Sequence, residues 1–280
     1  MKPAMALIIS TCDQPDYLRR VLRAVSGQLS PPAEVLLADD GSDETTARVF
    51  QDWAAAQSCR CEHLWQPHEG FRKARILNEA IARARAECVV FLDGDTVPHP
   101  RFIGDHQQLA RPERFVQGHR ALIGRRAARN FGEGNFRTDR WQALLGGGLS
   151  GWKNAFRWPA PLRRLRRDLR GVRGCNLAIW REHLAKVNGY NEEFTGWGRE
   201  DSELAVRLLN NGVLRVDVRG WALCYHLWHP PLSRSHLPAN DQLLAAAVAE
   251  ARKSCRLGLS LHPVPAVRSR GFDTKDFHGA

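Results

Sequence analysis

Between residues 5 and 93 four short apolar runs alternate with segments of helical period, and this pattern fixes the fold class. "MALIIS" (5–10), "EVLLAD" (34–39), the weaker "CEHLWQ" (61–66) and "CVVFLD" (88–93) read as strands. Between them Leu18, Val21, Leu22 and Val25 recur at helical spacing, with Asp13 and Pro15 as start signals. Val49, Phe50 and Trp53 mark a second helix opened by Ser42 or Asp43, and Ile76, Leu77, Ala80, Ile81 and Ala84 a third. Strands alternating with helices at this pace predict an α/β fold with a parallel sheet covered on both faces. In such sheets ligands bind beyond the carboxyl ends of the strands.

Two acidic pairs fall at those ends. Asp39–Asp40 lie in "ADDGS", where turn chemistry alone accounts for Asp, Gly and Ser. Asp93 and Asp95 flank Gly94 in "FLDGDTVP", and a turn needs one acidic residue at most. Two close carboxylates repel unless a cation or hydrogen-bond donors compensate. Hard divalent cations such as Mg²⁺ or Mn²⁺ take carboxylate oxygens and leave room for phosphate oxygens.

The second half is less regular. Residues 124–172 are rich in Gly, Arg and Trp and read as a long functional or disordered loop. "GCNLAIW" (174–180) returns to strand character, "REHLAKVNGY" reads as a short helix stopped by Gly189, and "GWGREDSELAVRLLNNG" (196–212) as loop glycines followed by a helix. Glu200 and Asp201 fall in the first turn of that helix, where acidic residues favour the dipole whatever else they do. "LRVDV" (214–218) is a further strand, residues 241–256 a helix, and 257–280 a Pro- and Arg-containing tail.

With 280 residues the chain can bury a large core. No apolar run approaches the length of a membrane span, and "MKPAMALIISTCDQPDYL" reads as a first strand rather than a secretory leader. Seven scattered cysteines without a CxxC pair give neither a disulfide framework nor a thiolate zinc site, and fit a reducing cytoplasm. A net charge of +11 calls for an anionic partner: nucleic acid, an acidic membrane surface or a phosphorylated ligand. The basic run "RRLRRDLRGVR" (163–173) reads as a solvated face or disordered loop, or as a patch for an anionic acceptor or the cytoplasmic membrane leaflet, with nearby tryptophans for sugar faces. No nucleic-acid-binding fold is recognisable around it, so RNA is not the expected partner.

Taken in order, "STCDQPDYL", "LADDGSDETT", "GFRKARILNEAI", "VVFLDGDTVP", "GCNLAIWREHLAKVNGYNEEFTGWGREDSELAVRL" and "YHLWHP" resemble the family-two glycosyltransferases of GT-A fold. The second half is similar to the C-terminal region of animal β-1,4-galactosyltransferases and bacterial chondroitin-type polymerases. The resemblance implies a Rossmann-like, mostly parallel central sheet flanked by helices, with an acceptor-side C-terminal half. It implies one domain over 1–245, made of a nucleotide-sugar half (1–123), a flexible acceptor or lid loop (124–172) and an acceptor and catalytic half (173–245), followed by a C-terminal helix and tail (246–280).

By the same resemblance Asp40 binds the nucleotide base, Ser10 and Cys12 contact the nucleoside, and Arg72, Lys73 and Asn78 lie against the nucleotide. Asp93 and Asp95 form the metal-and-diphosphate motif. Trp197 and Gly198, in "GWG", line the donor sugar and acceptor, and Asp201, after Glu200, is the catalytic base; Glu200 itself is expected to hold the acceptor. "HLWH" aligns with a segment in which a methionine and a histidine hold the metal. Here His226 replaces the methionine and His229 keeps the histidine, which leaves open which of the two binds. His68, His99, His106 and His119 receive no role.

The implied activity is metal-dependent (Mn²⁺ or Mg²⁺), inverting transfer of a sugar from a UDP-sugar (UDP-Gal, UDP-GalNAc, UDP-Glc or UDP-GlcNAc) to a glycan or lipid-linked glycan acceptor. Surface polysaccharide or lipopolysaccharide synthesis is its setting, in the cytoplasm or at the inner face of the cytoplasmic membrane. A metal would stabilise the charge growing on the nucleoside diphosphate, and one carboxylate opposite the leaving group would activate the acceptor hydroxyl. Two rivals stand beside this reading: a nucleotidyltransferase, which would release pyrophosphate, and a non-catalytic carbohydrate- or polyanion-binding protein.

Overall fold

The computed structural model describes residues 2–263. The first part of the chain runs β1 (Met5–Thr11), α1 (Pro15–Ser26), β2 (Glu34–Asp39), α2 (Glu44–Ala54), β3 (Arg60–Trp65), α3 (Lys73–Arg83), β4 (Cys88–Asp93). It continues β5 (Thr96–Pro98), α4 (Phe102–Leu109), β6 (Arg114–Gln117), β7 (Arg120–Ile123), α5 (Phe136–Leu145), β8 (Leu149–Ser150), β9 (Leu162–Arg166). The last part is β10 (Leu177–Trp180), α6 (Arg181–Lys186), α7 (Glu200–Asn210), β11 (Leu214–Arg219), β12 (Cys224–Leu227) and α8 (Leu237–Ala249).

Eight strands form the central sheet in the order β3-β2-β1-β4-β10-β6-β11-β9. The four strands expected from the alternation are parallel neighbours, and β11 is parallel to β6, whereas β10 and β9 run against their neighbours. Successive strand residues face opposite ways, so one strand feeds two cores. Met5, Leu7 and Ile9 of β1 pack with the α1 stripe Leu18, Val21, Leu22 and Val25 on one side. Ala6 and Ile8 pack with Ile76, Leu77, Ala80 and Ile81 of α3 on the other, where Leu204 and Leu208 of α7 join them. Asp43 caps α2 by accepting the Thr46 N–H at 3.1 Å, as its position before the apolar stripe requires.

Register puts the acidic ends together. Ser10 pairs with Asp93 and Thr11 with Asp39, so the carboxyl ends of β1, β2 and β4 share one rim. A second sheet, β5-β12-β7-β8, stands beside that rim. Its β5–β12 pairing sets His226 opposite Thr96 and so brings "HLWH" against the "DGDT" loop.

Three sequence expectations change. The C-terminal helix occupies Leu237–Ala249 rather than 241–256, so a boundary at 245 would cut through α8. Residues 124–172 carry α5, the short β8 and β9. The basic run is not a free loop: Leu162–Arg166 is the edge strand β9 paired to β11, and the fully buried Arg215 donates to the carbonyls of Asp168 and Arg170. Arg163 and Arg164 remain exposed. The tail beyond 263 lies outside the described residues. Among the described residues no helix is long and apolar enough to cross a membrane.

Candidate active site

The rim acids are held by donors rather than left to repel. Lys73, at the start of α3, places its Nζ 2.6 Å from Asp93 Oδ1, and Ser10 Oγ donates to the same oxygen at 3.0 Å. Burial works against the Lys73 charge, but the carboxylates of Asp93, Asp201 and Glu200 outweigh it and hold the ammonium well above its ordinary pKa. Lys73 thus sits between the strand-end acid and the acidic start of α7.

Asp95 faces the two histidines. Its Oδ2 lies 3.6 Å from His226 Nε2 and 3.2 Å from His229 Nε2. One ligand atom from each of the three falls within 4.8 Å of the others. Burial alone would raise the Asp95 pKa, but the hydrogen bond from His229 and the charge of both rings hold it below the usual value. Burial pushes His226 down towards the neutral form, whereas His229, bonded to Asp95, is pushed up. One carboxylate oxygen and two imidazole nitrogens suit Mn²⁺ among the hard-to-borderline divalent ions, so the residues present fit a metal with both histidines among its ligands.

Asp201 is fixed at two points. Its Oδ2 accepts the Gly174 N–H at 2.6 Å and its Oδ1 the Tyr190 hydroxyl at 3.3 Å. A Cβ at Gly174 would lie 2.4 Å from Asp201 Oδ1, so this approach requires glycine. Burial and the nearby Asp93 raise the Asp201 pKa against the pull of Lys73. Glu200 beside it is pushed up to about 7, by burial first and then by Asp201. The turn into α7 passes through Arg199 in the left-handed region, φ +80°, a strained conformation for a residue with a side chain. Its guanidinium is anchored on Asp241 of α8.

On the other flank Asp40 is almost fully buried, accepting Gln66 Nε2 at 2.5 Å and the Arg72 N–H at 2.8 Å. The Asp40 carbonyl accepts the Cys12 thiol at 3.5 Å and lies 3.0 Å from His68 Nδ1. Burial raises Asp40 and pushes Cys12 up to about 11. Arg72 directs its guanidinium to the Pro67 carbonyl and Glu69. Trp197 is part-exposed under Arg234, 5.5 Å from its ring centre. Gly198, at φ +110°, takes the left-handed backbone that favours glycine.

The structure does not bring Asn78 into this group. Its side chain is fully buried, donating to the Tyr190 carbonyl and Glu192 and accepting the Tyr190 N–H. It therefore positions Tyr190, and through it Asp201. Trp158, one of the tryptophans near the basic run, is not free to meet a sugar face: it is packed over Gly220 and bonded to that loop. His106 is buried and His99 half-buried, with pKa values pushed down to about 4 by burial, and His119 is bonded to Asp217.

Sequence reasoning missed two residues. Arg120 on β7 donates to Cys175 Sγ at 3.5 Å, and its charge bears on Asp93 and His226. One arginine among many gave no signal, because β7 itself was not legible. Asn240 of α8 donates to the carbonyls of Thr195 and Gly198 and so fastens the "GWG" loop. The earlier start of the helix is what places it there.

Residues 6–187 match the family described as glycosyl transferase family 2. The chain belongs to that family. Residues 160–229 match a second family description, the N-terminal domain of galactosyltransferase. The chain is 26% identical over 250 residues to a validoxylamine A glucosyltransferase of Streptomyces hygroscopicus subsp. limoneus, covering 84% of this chain and 53% of the relative. It is 24% identical over 242 residues to a chondroitin synthase of Escherichia coli, covering 79% and 34%. The chain thus spans about half or less of the length of these curated relatives.

Among solved structures, a mannosyltransferase of Pyrobaculum calidifontis in complex with GDP-Man and Mn²⁺ superposes with a TM-score of 0.58 at 19% identity, over 94% of this chain and 68% of that one. A structure of GalNAc-T7 with UDP, GalNAc and Mn²⁺ gives 0.57 at 15% identity, over 81% and 44%. At these identities the likeness establishes the fold, which is GT-A as the motif order implied.

Proposed function

We propose that this family-two member is an inverting, metal-dependent glycosyltransferase that moves a sugar from a nucleotide-sugar, with UDP as the nucleoside diphosphate, to a glycan or lipid-linked glycan acceptor. The observation that carries the reading is the meeting on one rim of three groups: Lys73 with Asp93, Asp95 with His226 and His229, and Asp201 with Glu200.

Cys12 and Asp40, beside His68, form the nucleoside end of the site, with the buried Asp40 carboxylate directed at the base. Lys73 neutralises the diphosphate and Ser10 keeps Asp93 in place. Asp95, His226 and His229 would hold the divalent ion, Mn²⁺ or Mg²⁺, which supplies Lewis-acid stabilisation of the departing diphosphate when bound. Asp201 takes the acceptor proton. Its raised pKa makes it a better base than a solvated carboxylate, and the Gly174 N–H and Tyr190 hydroxyl keep its oxygens from turning away. Glu200, Trp197 and Gly198 hold the acceptor. Within segment 124–172, the stretch around Trp152 closes over the donor with Trp152 nearest the sugar, excluding water. The bacterial polymerases in the resemblance support a role in surface polysaccharide or lipopolysaccharide synthesis, and exposed Arg163 and Arg164 on β9 support peripheral contact with an anionic cytoplasmic leaflet.

The test is incubation of the full chain with UDP-Gal, UDP-GalNAc, UDP-Glc and UDP-GlcNAc, with Mn²⁺ and candidate glycan acceptors. Free UDP with a glycosylated product is expected from one donor. Pyrophosphate as the product would instead establish nucleotidyl transfer, and binding without turnover a carbohydrate-binding role.

A further inference from the structure

Against the metal-ligand segment, at Trp228, lies an open cavity of about 340 Å³ between α1 and the chain leaving β7. Its walls include Tyr17, Arg20, Arg125, Arg129 and Trp228, with Asp16 at one edge. Trp228 stands in the chain between His226 and His229, and its carbonyl accepts the Tyr17 hydroxyl at 2.7 Å. The cavity therefore shares a wall with the rim site.

Cations and aromatic rings alternate around it. Arg125 lies over the Trp228 ring at 4.9 Å and Arg20 over the Tyr17 ring at 5.6 Å. Arg20 is committed to the structure: it donates to the carbonyls of Ala128 and Arg129 and pairs with Glu133 at 2.7 Å. Its Nε is nevertheless buried without a partner among the described residues. Asp16 is turned to Arg19 at 2.7 Å. Arg125 and Arg129 are exposed and have no carboxylate partner among the described residues. Two unneutralised guanidinium groups at the mouth of a cavity with aromatic walls form an arrangement for a ring that carries an acid.

We propose that this cavity is a subsite for an acidic group, a carboxylate or phosphate, borne by a sugar of the acceptor. Arg125 and Arg129 bind the acid by charge-assisted hydrogen bonds, and Tyr17 and Trp228 pack against the sugar. The acceptor role rests on the reading of the rim as a transfer site; binding of an acidic sugar in the cavity does not.

Ligand-observed NMR on the full chain in low-salt buffer tests it. Glucuronate, glucose 6-phosphate, glucose and inorganic phosphate are titrated with the rim first filled by UDP and Mn²⁺, and UDP affinity is measured separately. Glucuronate and glucose 6-phosphate are expected to bind about tenfold or more tighter than glucose, the worth of a charge-assisted hydrogen bond, and inorganic phosphate more weakly than glucose 6-phosphate. The Arg125→Gln/Arg129→Gln double variant should lose that preference and keep its UDP affinity. The proposal is overturned if acidic and neutral sugars bind alike, if the double variant keeps the preference, or if inorganic phosphate binds as tightly as glucose 6-phosphate. Loss of UDP affinity in the double variant also overturns it, since the arginines would then serve the donor. Acidic-sugar binding in a chain that binds no UDP would support the subsite and count against the transferase reading alone.

Discussion

Asp201 is held from two sides, and its two bonds separate its chemical role from its place in a helix. If it served only the start of α7, Asp201→Asn would cost about 1 kcal/mol of stability and little activity. As the base it should lose about 10²–10⁴ in kcat with UDP affinity unchanged. Steady-state kinetics beside a thermal melt distinguishes the two. Gly174→Ala offers a separate check, because its Cβ would meet Asp201 Oδ1 at 2.4 Å. A misplacement near 1 Å costs about a hundredfold in rate, so kcat should fall by that order although no ionisable group has changed. Normal kcat in Gly174→Ala would show that the carboxylate position is not critical. Asp93 and Asp95 stood out in the sequence because acids beside glycine at a strand end have few purely structural uses, whereas Asp201, at a helix start where acids favour the dipole, stood out only through the resemblance. Asn78 was singled out by the resemblance alone, and its packing under the Tyr190 turn depends on a segment more than a hundred residues away in the chain.

α7 is the element that carries the acidic pair, and a buried ion pair ties it down. Arg207 is fully buried, bonds Glu203 through both carboxylate oxygens and donates to the carbonyls of Val187 and Gly189, next to Tyr190. Removing one partner of such a pair leaves a buried charge, so Arg207→Ala should lose about 3–5 kcal/mol in urea denaturation. A loss below about 1 kcal/mol would contradict this account of the anchor. Glu200 has the opposite signature. Its pKa is about 7 in the fold against 4.5 outside it. The folded state then binds the extra proton between these values, so its contribution to stability declines as pH rises from about 4.5 through 7. Glu200→Gln should gain up to about 3 kcal/mol at pH 8 and nothing at pH 4. Melts at the two pH values read this directly, and an equal shift at both would contradict it.

The periodicity of α1, α2, α3 and α7 was plain because each buries one apolar stripe. α4 was not legible, since it turns Asp105 and His106 inward, where Arg157 and the Ala222 N–H hold Asp105 and Asn176 bonds His106 Nε2. β9 was hidden by its arginines, which an edge strand tolerates in solvent.

At the scale of the whole molecule, one sheet with two cores fixes the strand ends, and the second sheet brings in "HLWH" from far along the chain. That meeting could be inferred from motif order but not from periodicity, because β5, β7 and β12 are three or four residues long. Segment 124–172 belongs to this scale. If it closes over the donor, UDP with Mn²⁺ should slow its cleavage in limited proteolysis, and equal cleavage with and without them would remove the lid. In the proposed mechanism Asp95, His226 and His229 bind a divalent ion through which the nucleotide is held. Calorimetric titration of UDP into the full chain tests it most directly, with Mn²⁺, with EDTA, and with the Asp95→Ala variant in Mn²⁺. Binding in Mn²⁺ should fall by at least about tenfold in EDTA and in the variant, with the fold retained; UDP affinity unchanged in EDTA or in Asp95→Ala would rule out a metal-held nucleotide.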